Sequence, residues 1–356
     1  MEEILSIPTQ VNFDESIANY EIHSHQPYAS SSFNNSDEIR IIVQNQDLYI
    51  LPSSSSLHLF GRLTKNDGNT LTENVDLINN AISYLFDEIR YELNGIEIDR
   101  CKYFNYKKPG FTNSFSTLDL KMTLENGYFN VTVPLSMLFG FAEDYKKIVM
   151  NAKHELILIR SRNDLNAVIQ TGNLYNNEEF KITINKIEWL VPYILPSDSN
   201  KIKLLKFIEK HPLISMSFRS WEMYEYPLLL ESSRIMWQLK SLSQLEKPRY
   251  VIVGFQTGRK NKLKNTSCYF DHCNITNVKL FLNSQSYPYG NLNLNFDQNQ
   301  YSLLYDMYAN FQSSYYGKDS EPTLAINTFK SKAPLIVIDC SKENEFLRIV
   351  TGNIRK

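Results

Sequence analysis

The sequence predicts an all-β chain of two tandem eight-stranded β-sandwiches with a few short inserted helices. Three observations lead there. Short runs rich in β-branched and aromatic residues recur, separated by Asn, Ser, Gly and Pro. Helix-like stretches are few and do not alternate with the strands, which argues against doubly wound and α/β-barrel folds. Segments of the first half also echo in the second, in the same order.

The strand candidates, in chain order, are Glu38–Gln44, Leu57–Thr64, Glu88–Leu93, Tyr128–Val133, His154–Arg160, Phe180–Leu190, Arg249–Gln256, Asn277–Leu282 and Leu335–Cys340. Helix-like patterns cover Asp76–Leu85, Leu135–Met150, Lys201–Lys210 and Ser302–Phe311. The echo begins with Ile89–Gly95 (IRYELNG), which returns in outline as Val278–Ser284 (VKLFLNS). Each is a strand that closes on a turn. A helix-like segment follows each copy, Leu135–Phe139 and Ser302–Tyr305, and then an apolar strand from near His154 or Ala333. The division falls near Pro196–Asn200, giving a first sandwich with its N-terminal arm over 1–196 and a second over 197–356. Pattern alone does not separate a jelly roll from an immunoglobulin-like sandwich. The helix inserted before a late strand in both halves favours the jelly roll, and a Cys–Trp–Cys spacing is absent.

Composition narrows the function classes. Over 356 residues, 42% are hydrophobic and 13% aromatic, with 22 Tyr and 20 Phe, which excludes a largely disordered chain. The 37 basic and 39 acidic residues leave a formal charge of −2, so a dedicated nucleic-acid binder is not expected. The acidic start, Met1–Pro8, lacks the apolar stretch of a secretory signal. No run reaches the roughly 18 apolar residues of a membrane span. Four cysteines are too few for a disulfide framework, so free thiols and a reducing compartment are expected.

Candidate chemistry is thin. His23-Ser24-His25 could set two imidazoles on one face of a strand, as metal-binding jelly rolls do, but Gln26, Pro27, Tyr28 and Ala29 follow where a carboxylate is needed. A solvated or packed strand is the expectation there. Cys268, Asp271, His272 and Cys273 include zinc-ligand types but have no second pair at matching spacing, so they read as a loop with free thiols. Arg259–Lys264 concentrates four positive charges and reads as a solvated loop. Lys201–Ile208 reads as a basic amphipathic helix whose apolar side packs at the module boundary. Nucleophile-elbow, phosphate-loop, dinucleotide and metalloprotease motifs are absent. The sequence therefore supports no catalytic residue, no metal site and no cofactor.

Several segments together carry a resemblance. They are Ile89-Arg90-Tyr91 with Leu93-Asn94-Gly95, Val133-Pro134-Leu135-Ser136 leading into Gly140–Tyr145, Trp189-Leu190-Val191-Pro192, and Ala333-Pro334 through Asp339 to Lys342. In this order they resemble the double jelly-roll major capsid proteins of Polinton (Maverick), adintovirus and related eukaryotic DNA viruses. The resemblance runs from about Phe33 to Ser341. It implies a non-enzymatic structural protein, three chains in a pseudo-hexameric capsomer, and an icosahedral shell. Its partners would be itself, as a homotrimer and then a lattice, and a minor capsid or penton protein. It would reside in the virion capsid after synthesis in the host cytoplasm or nucleus. The residues that carry the signature are Ile89, Arg90, Tyr91, Leu93, Asn94, Gly95, Pro134, Trp189, Pro192, Pro334 and Asp339. The family usually continues with more strand sequence than Lys342–Lys356 supplies, so the second sandwich is expected to lack its last strand or strands. Such a chain could be an integrated copy in a host genome. Two other classes remain: a tandem β-sandwich carbohydrate-binding module, and a cupin-like metalloenzyme built on His23 and His25.

Overall fold

Alternation along each run decides which side chains turn inward, and strand order decides what they meet. The computed structural model describes residues 17–28, 32–44, 49–71, 75–78, 80–101, 125–170, 179–210, 214–226, 228–229, 232–239, 248–282, 285–317, 322, 324–341 and 352–355. The chain divides into two units, Met1–Ala167 with Gly172–Trp221 and Val168–Thr171 with Glu222–Lys356.

The first unit holds eight principal strands: β1 (Ile17–His25), β2 (Glu38–Val43), β3 (Ser56–Thr64), β4 (Phe86–Leu93), β5 (Ile96–Cys101), β6 (Tyr128–Pro134), β7 (His154–Arg160) and β8 (Lys181–Pro196). One sheet runs β1-β8-β3-β6 and the other β2-β7-β4-β5. Every consecutive pair of these strands crosses between sheets except the β4–β5 hairpin. That ordering is a jelly roll. Asn94 (φ 50°) and Gly95 (φ 78°) make the hairpin turn, both in the left-handed region that a two-residue connection of this hand requires.

Inward residues alternate as expected. Ile39, Ile41 and Val43 on β2, Leu57, Leu59 and Leu63 on β3, and Phe129, Val131 and Val133 on β6 are all buried. Gly61 continues the β3 series. A Cβ there would lie 2.4 Å from Phe129 Cζ and 2.6 Å from the Thr183 carbonyl, so the bare backbone is what admits the Phe129 ring. The register of β8 against β3 shifts at this point, between Ile184 and Lys186. The helix-like stretch 135–150 is two short helices, α1 (Leu135–Leu138) and α2 (Gly140–Asp144), followed by a two-residue strand, Val149–Met150. In 76–85, only Ala81–Tyr84 is helical.

A longer helix, α3 (Asp198–Ile208), buries none of its residues. Ile202, Leu205 and Phe207 are 55%, 48% and 47% exposed. Within its own unit, therefore, the described residues leave its apolar side uncovered.

The second unit contains β9 (Met236–Leu239), β10 (Tyr250–Val253), β11 (Lys279–Leu282), β12 (Gln285–Tyr287), α4 (Ser302–Tyr316), α5 (Ile326–Lys332), β13 (Ile336–Asp339) and β14 (Gly352–Arg355). One sheet runs β9-β14-β11-β12, and β10 pairs with β13. The helix α4 ends at Gly317 in a left-handed C-cap (φ 64°). Tyr250 meets Phe311 and Tyr315 of α4 edge-on at 5.0 and 5.7 Å.

The pairing places the two echo segments alike. In the first unit, Ile89–Leu93 on β4 lies between β7 and its hairpin partner β5, in a sheet of order β2-β7-β4-β5. In the second, Lys279–Leu282 on β11 lies between β14 and its hairpin partner β12, in a sheet of order β9-β14-β11-β12. Both segments are therefore the third strand of a four-stranded antiparallel sheet, next to an edge strand reached by a hairpin. Asn283 and Ser284, the end of that echo, lie outside the described residues. Gly352–Arg355 (β14) takes the second place in the four-stranded sheet of the second unit, the place β7 holds in the first.

Candidate functional site

The first unit presents an interior cluster and two outer sheet faces, each built by alternation. Ile89, Tyr91 and Leu93 turn into the core from β4, and Arg90 turns out. Tyr91 is 1% exposed and its hydroxyl lies 2.7 Å from Nδ1 of fully buried His154. Trp189, also fully buried, meets the Tyr91 ring edge-on at 6.1 Å, and Phe141 stacks on it at 5.2 Å. Burial pushes His154 down to about 4 and raises the Tyr91 phenol well above its ordinary value.

Asp99, on β5, accepts the backbone N–H of Phe141 at 2.9 Å and its neighbour Arg100 at 2.8 Å. Burial pushes its carboxyl up to about 6, against the downward pull of these donors. The helix it holds carries Asp144, which takes Arg219 through Nε at 2.8 Å and Nη2 at 2.5 Å, while Phe218 packs edge-on to Phe141 at 5.3 Å. An inward carboxylate thus anchors the segment that leaves the sandwich.

The outer face of β2-β7-β4-β5 is a charge lattice. Ile157 pairs with Arg40 on one side and Arg90 on the other, and Arg90 pairs with Arg100, so three guanidiniums line one row. Glu38 and Glu88 flank that row on one side, Glu92, Glu97 and Glu155 on the other. Arg40 Nε lies 2.5 Å from Glu38, Arg90 Nε 3.1 Å from Glu88, and Arg100 reaches both Glu88 (3.3 Å) and Glu97 (2.5 Å). Ile157, between the Arg40 and Arg90 positions, is 1% exposed, on a strand buried along most of its length.

The outer face of the other sheet is stitched by Glu188. Its carboxylate takes Lys186 at 2.8 Å, His58 Nδ1 at 3.1 Å and Gln26 at 3.2 Å. His58 Nε2 lies 2.6 Å from Asn130 Oδ1, so the network crosses from the end of β1 over β8 and β3 to β6. Burial would raise Glu188, but hydrogen bonds from Lys186, Ser24, Gln26 and His58 bring it down to about 2.

Beside this network β1 has an inverted face. Tyr20, Ile22 and Ser24 pair with Ile194, Pro192 and Leu190 on the outer side, and Tyr20 and Ile22 are 47% and 62% exposed. Glu21, His23 and His25 share the side of Tyr193, Val191 and Trp189. His23 lies 2.9 Å from Glu21, and His25 lies 2.9 Å from the Tyr193 hydroxyl. Burial, then the charge of His23, lowers His25. Both imidazoles do sit on one face, against the Tyr193 ring at 4.5 and 5.8 Å.

The remaining sequence candidates are placed as follows. Asn94 turns the hairpin and its Oδ1 accepts the Lys153 N–H at 2.8 Å. Pro134 ends β6 just before α1, and Pro192 faces Ile22. In the second unit Pro334 is buried, and exposed Asp339 accepts Ser314 Oγ at 2.9 Å and the Ser341 N–H at 2.8 Å. Of the signature residues, Ile89, Tyr91, Leu93 and Trp189 are buried in the first core, Arg90 and Pro192 lie mid-strand on the outer faces, and the rest stand at turns and strand ends. Arg259 is held by Asp271 at 2.5 and 2.9 Å, and Lys260 by Glu225 at 2.9 Å. His272 stacks on Phe296 at 4.4 Å, Cys268 is buried and Cys273 exposed. Among the described residues, no group of three or more His, Cys, Asp or Glu side chains is placed to hold a metal ion. None of their helices is long and apolar enough to cross a membrane. Sequence reasoning reads a strand at His23–His25 but not its extent back to Ile17, and it misses the Glu188 network and the arginine row. Only the last had a visible signal, the alternating charges of Glu88-Ile89-Arg90-Tyr91-Glu92.

Comparison with known proteins follows the topology. The family profile described as "Double jelly roll-like domain" matches residues 75–356. No curated protein sequence matches the chain. Among solved structures, the chain is similar to one from the Sputnik virophage at 3.5 Å, with TM-score 0.57 and 10% identity over 100% of this chain and 84% of that one. It is similar to VP54 of PBCV-1 fitted into a Sputnik reconstruction, with TM-score 0.52 and 10% identity over 95% and 84%. A quasi-atomic PBCV-1 virus capsid gives 0.50 and 11% over the same shares.

Proposed function

The chain belongs to the double jelly roll-like domain family, and from that premise we propose that it is the major capsid protein of an icosahedral virus. The observation that carries the proposal is the strand order of the first unit, a jelly roll joined in one chain to a second module, in a family match that spans most of the sequence. The likeness to chains of the Sputnik virophage and the PBCV-1 capsid supports it, because those chains share this fold across nearly the whole length. The reading extends to a trimer with six modules in a near-hexagonal ring, to a role without catalysis, and to the virion as its location. The reading sets the module junction near Pro196–Asn200, ahead of the division of the chain into units after Trp221. The signature segments favour a Polinton- or adintovirus-like source, as an active virus or as a copy in a host genome, with a minor capsid or penton protein as second partner.

The surfaces suit assembly. An isolated chain leaves Tyr20, Ile22, Ile202, Leu205 and Phe207 in water, and a shell covers such side chains between copies. Light scattering on the purified chain tests the reading: about three times the 41.5 kDa chain mass is expected, with hexagonal particles or shells by negative-stain microscopy. A folded monomer at micromolar concentration overturns it.

A further inference from the structure

We propose that β1 is a contact between capsomers, pairing antiparallel with β1 of a second copy of this chain about a two-fold axis through Ile22. The inference rests on the capsid reading and names the surface that joins trimers to one another.

Three observations carry it. Among the described residues the backbone of β1 pairs with β8 alone, and none of them pairs with its other edge. Edge strands are commonly protected by charged side chains, proline, a bulge or a covering element. Between Asn19 and His25 there is no Lys or Pro, the register irregularity lies at the Ile17 end, and the one carboxylate, Glu21, is engaged by Asn19 and His23 of its own strand. Next, the outer side of this strand is apolar. Tyr20 and Ile22 stand 47% and 62% exposed beside that edge. Exposed apolar side chains next to an open edge are the form of strand-addition sites.

Charge then selects the occupant and the register. With Ile22 on the axis, Ile22 faces its own copy, Glu21 faces His23 of the other chain, and His23 faces Glu21, so the cross-strand pairs are complementary. Tyr20 then faces Ser24. Moving the axis by one residue to Glu21 sets two carboxylates face to face. An antiparallel pair of identical strands makes a closed, isologous contact, which is what joining two trimers across a two-fold requires.

The experiment uses the full chain with Cys273→Ser, which removes the exposed thiol and leaves three buried cysteines. Tyr20→Cys, Glu21→Cys and Ile22→Cys are each oxidised mildly, and dimers are counted on non-reducing gels. Only a residue on the axis meets itself, and disulfide geometry demands Cβ atoms within roughly 4.5 Å, so Ile22→Cys should cross-link at least about tenfold faster than the other two. Equal rates, or a faster Glu21→Cys, overturn the register. Ile22→Lys sets two positive charges on the axis at an exposed position. Its trimer mass and melting temperature should match the parent, and association beyond three chains should be lost. A trimer that still assembles into shells with Ile22→Lys refutes the contact and leaves the capsid reading standing. A parent chain that remains a monomer refutes the capsid reading itself.

Discussion

Removing one oxygen from the core of the first sandwich should be costly. Tyr91→Phe deletes the hydroxyl that lies 2.7 Å from His154 Nδ1, in a site where both residues are at most 1% exposed. His154 Nε2 already has no hydrogen-bond partner, so the variant leaves a buried imidazole with neither nitrogen satisfied. Stranding a buried polar group of this kind costs about 1–3 kcal/mol. In a unit of this size about 2 kcal/mol lowers the melting temperature by roughly 4–8 °C. The ring stays in place between Phe141 and Trp189, so no cavity adds to the loss. His154→Leu strands the phenol instead, at comparable cost near neutral pH, whereas the double variant removes both partners and should lose less than the singles together by about 1–2 kcal/mol. pH gives a second axis. A histidine held at about 4 binds fewer protons folded than unfolded, so its contribution is intact above 6.5 and is lost as pH falls toward 4. At pH 5 that loss is about 2 kcal/mol. The gap between parent and His154→Leu should narrow by this amount between pH 7 and pH 5. Urea titrations followed by tryptophan fluorescence provide the free energies. Strict additivity of the two single variants, or a gap that does not change with pH, would refute the isolated buried pair.

Three further outcomes are expected. Glu188→Ala cuts the network from Gln26 to Asn130 and should lower stability by about 2–3 kcal/mol at pH 7; because the folded carboxylate is held at about 2, the parent loses this advantage as pH falls below 4.5 and the variant does not, which acid titration by circular dichroism reads. Arg160→Met removes a fully buried guanidinium that holds Asp164 at 2.7 Å and the Leu85 carbonyl at 2.7 Å, and should cost about 3–5 kcal/mol in urea denaturation by leaving the carboxylate uncompensated. Asp99→Asn should abolish a loss of stability that the parent shows as pH rises from 3.8 through 6, since a carboxyl raised to about 6 binds more protons folded than unfolded; thermal melts across that range measure it.

Much of the first unit is legible in its sequence because its strands alternate cleanly. Glu38–Val43, Ser56–Thr64 and Tyr128–Pro134 each show buried and exposed residues in turn, and all three coincide with sequence candidates to within about two residues. The strand β1 is legible only at His23–His25, because Ile17–His25 has no apolar inward series to mark its length; its position is set by pairing with β8. The echo between Ile89–Gly95 and Val278–Ser284 is legible because β4 and β11 take the same place, each opening a hairpin to an edge strand and pairing on its other side with a later strand. The helix α3 shows a different gap. Its periodicity is visible, but periodicity cannot say whether the apolar side is covered by its own chain or by another. The outer networks at Glu188 and along Arg40, Arg90 and Arg100 depend on cross-strand register, which no local pattern encodes.

The register of β1 links these observations. A slip of one residue against β8 would turn Tyr20 and Ile22 to the side of Val191 and Tyr193 and expose Glu21 and His23 on the outside, the arrangement hydrophobic burial favours. The chain does the opposite. What holds the observed register is polar: Ser24 and Gln26 reach Glu188 on the outer face, and His25 meets the Tyr193 hydroxyl on the inner one. Those bonds are lost in the slipped register, which would also take His23 and His25 off the Tyr193 ring. Exposing two large apolar side chains forfeits about 2–4 kcal/mol of burial, an amount comparable to what the Glu188 network supplies. Within one chain the two registers are therefore nearly balanced. Covering Tyr20 and Ile22 with a second copy restores the forfeited burial without disturbing Glu188, so association and the observed register stabilise each other. Loss of Glu188 should on this ground weaken contacts between copies as well as the sandwich that carries them.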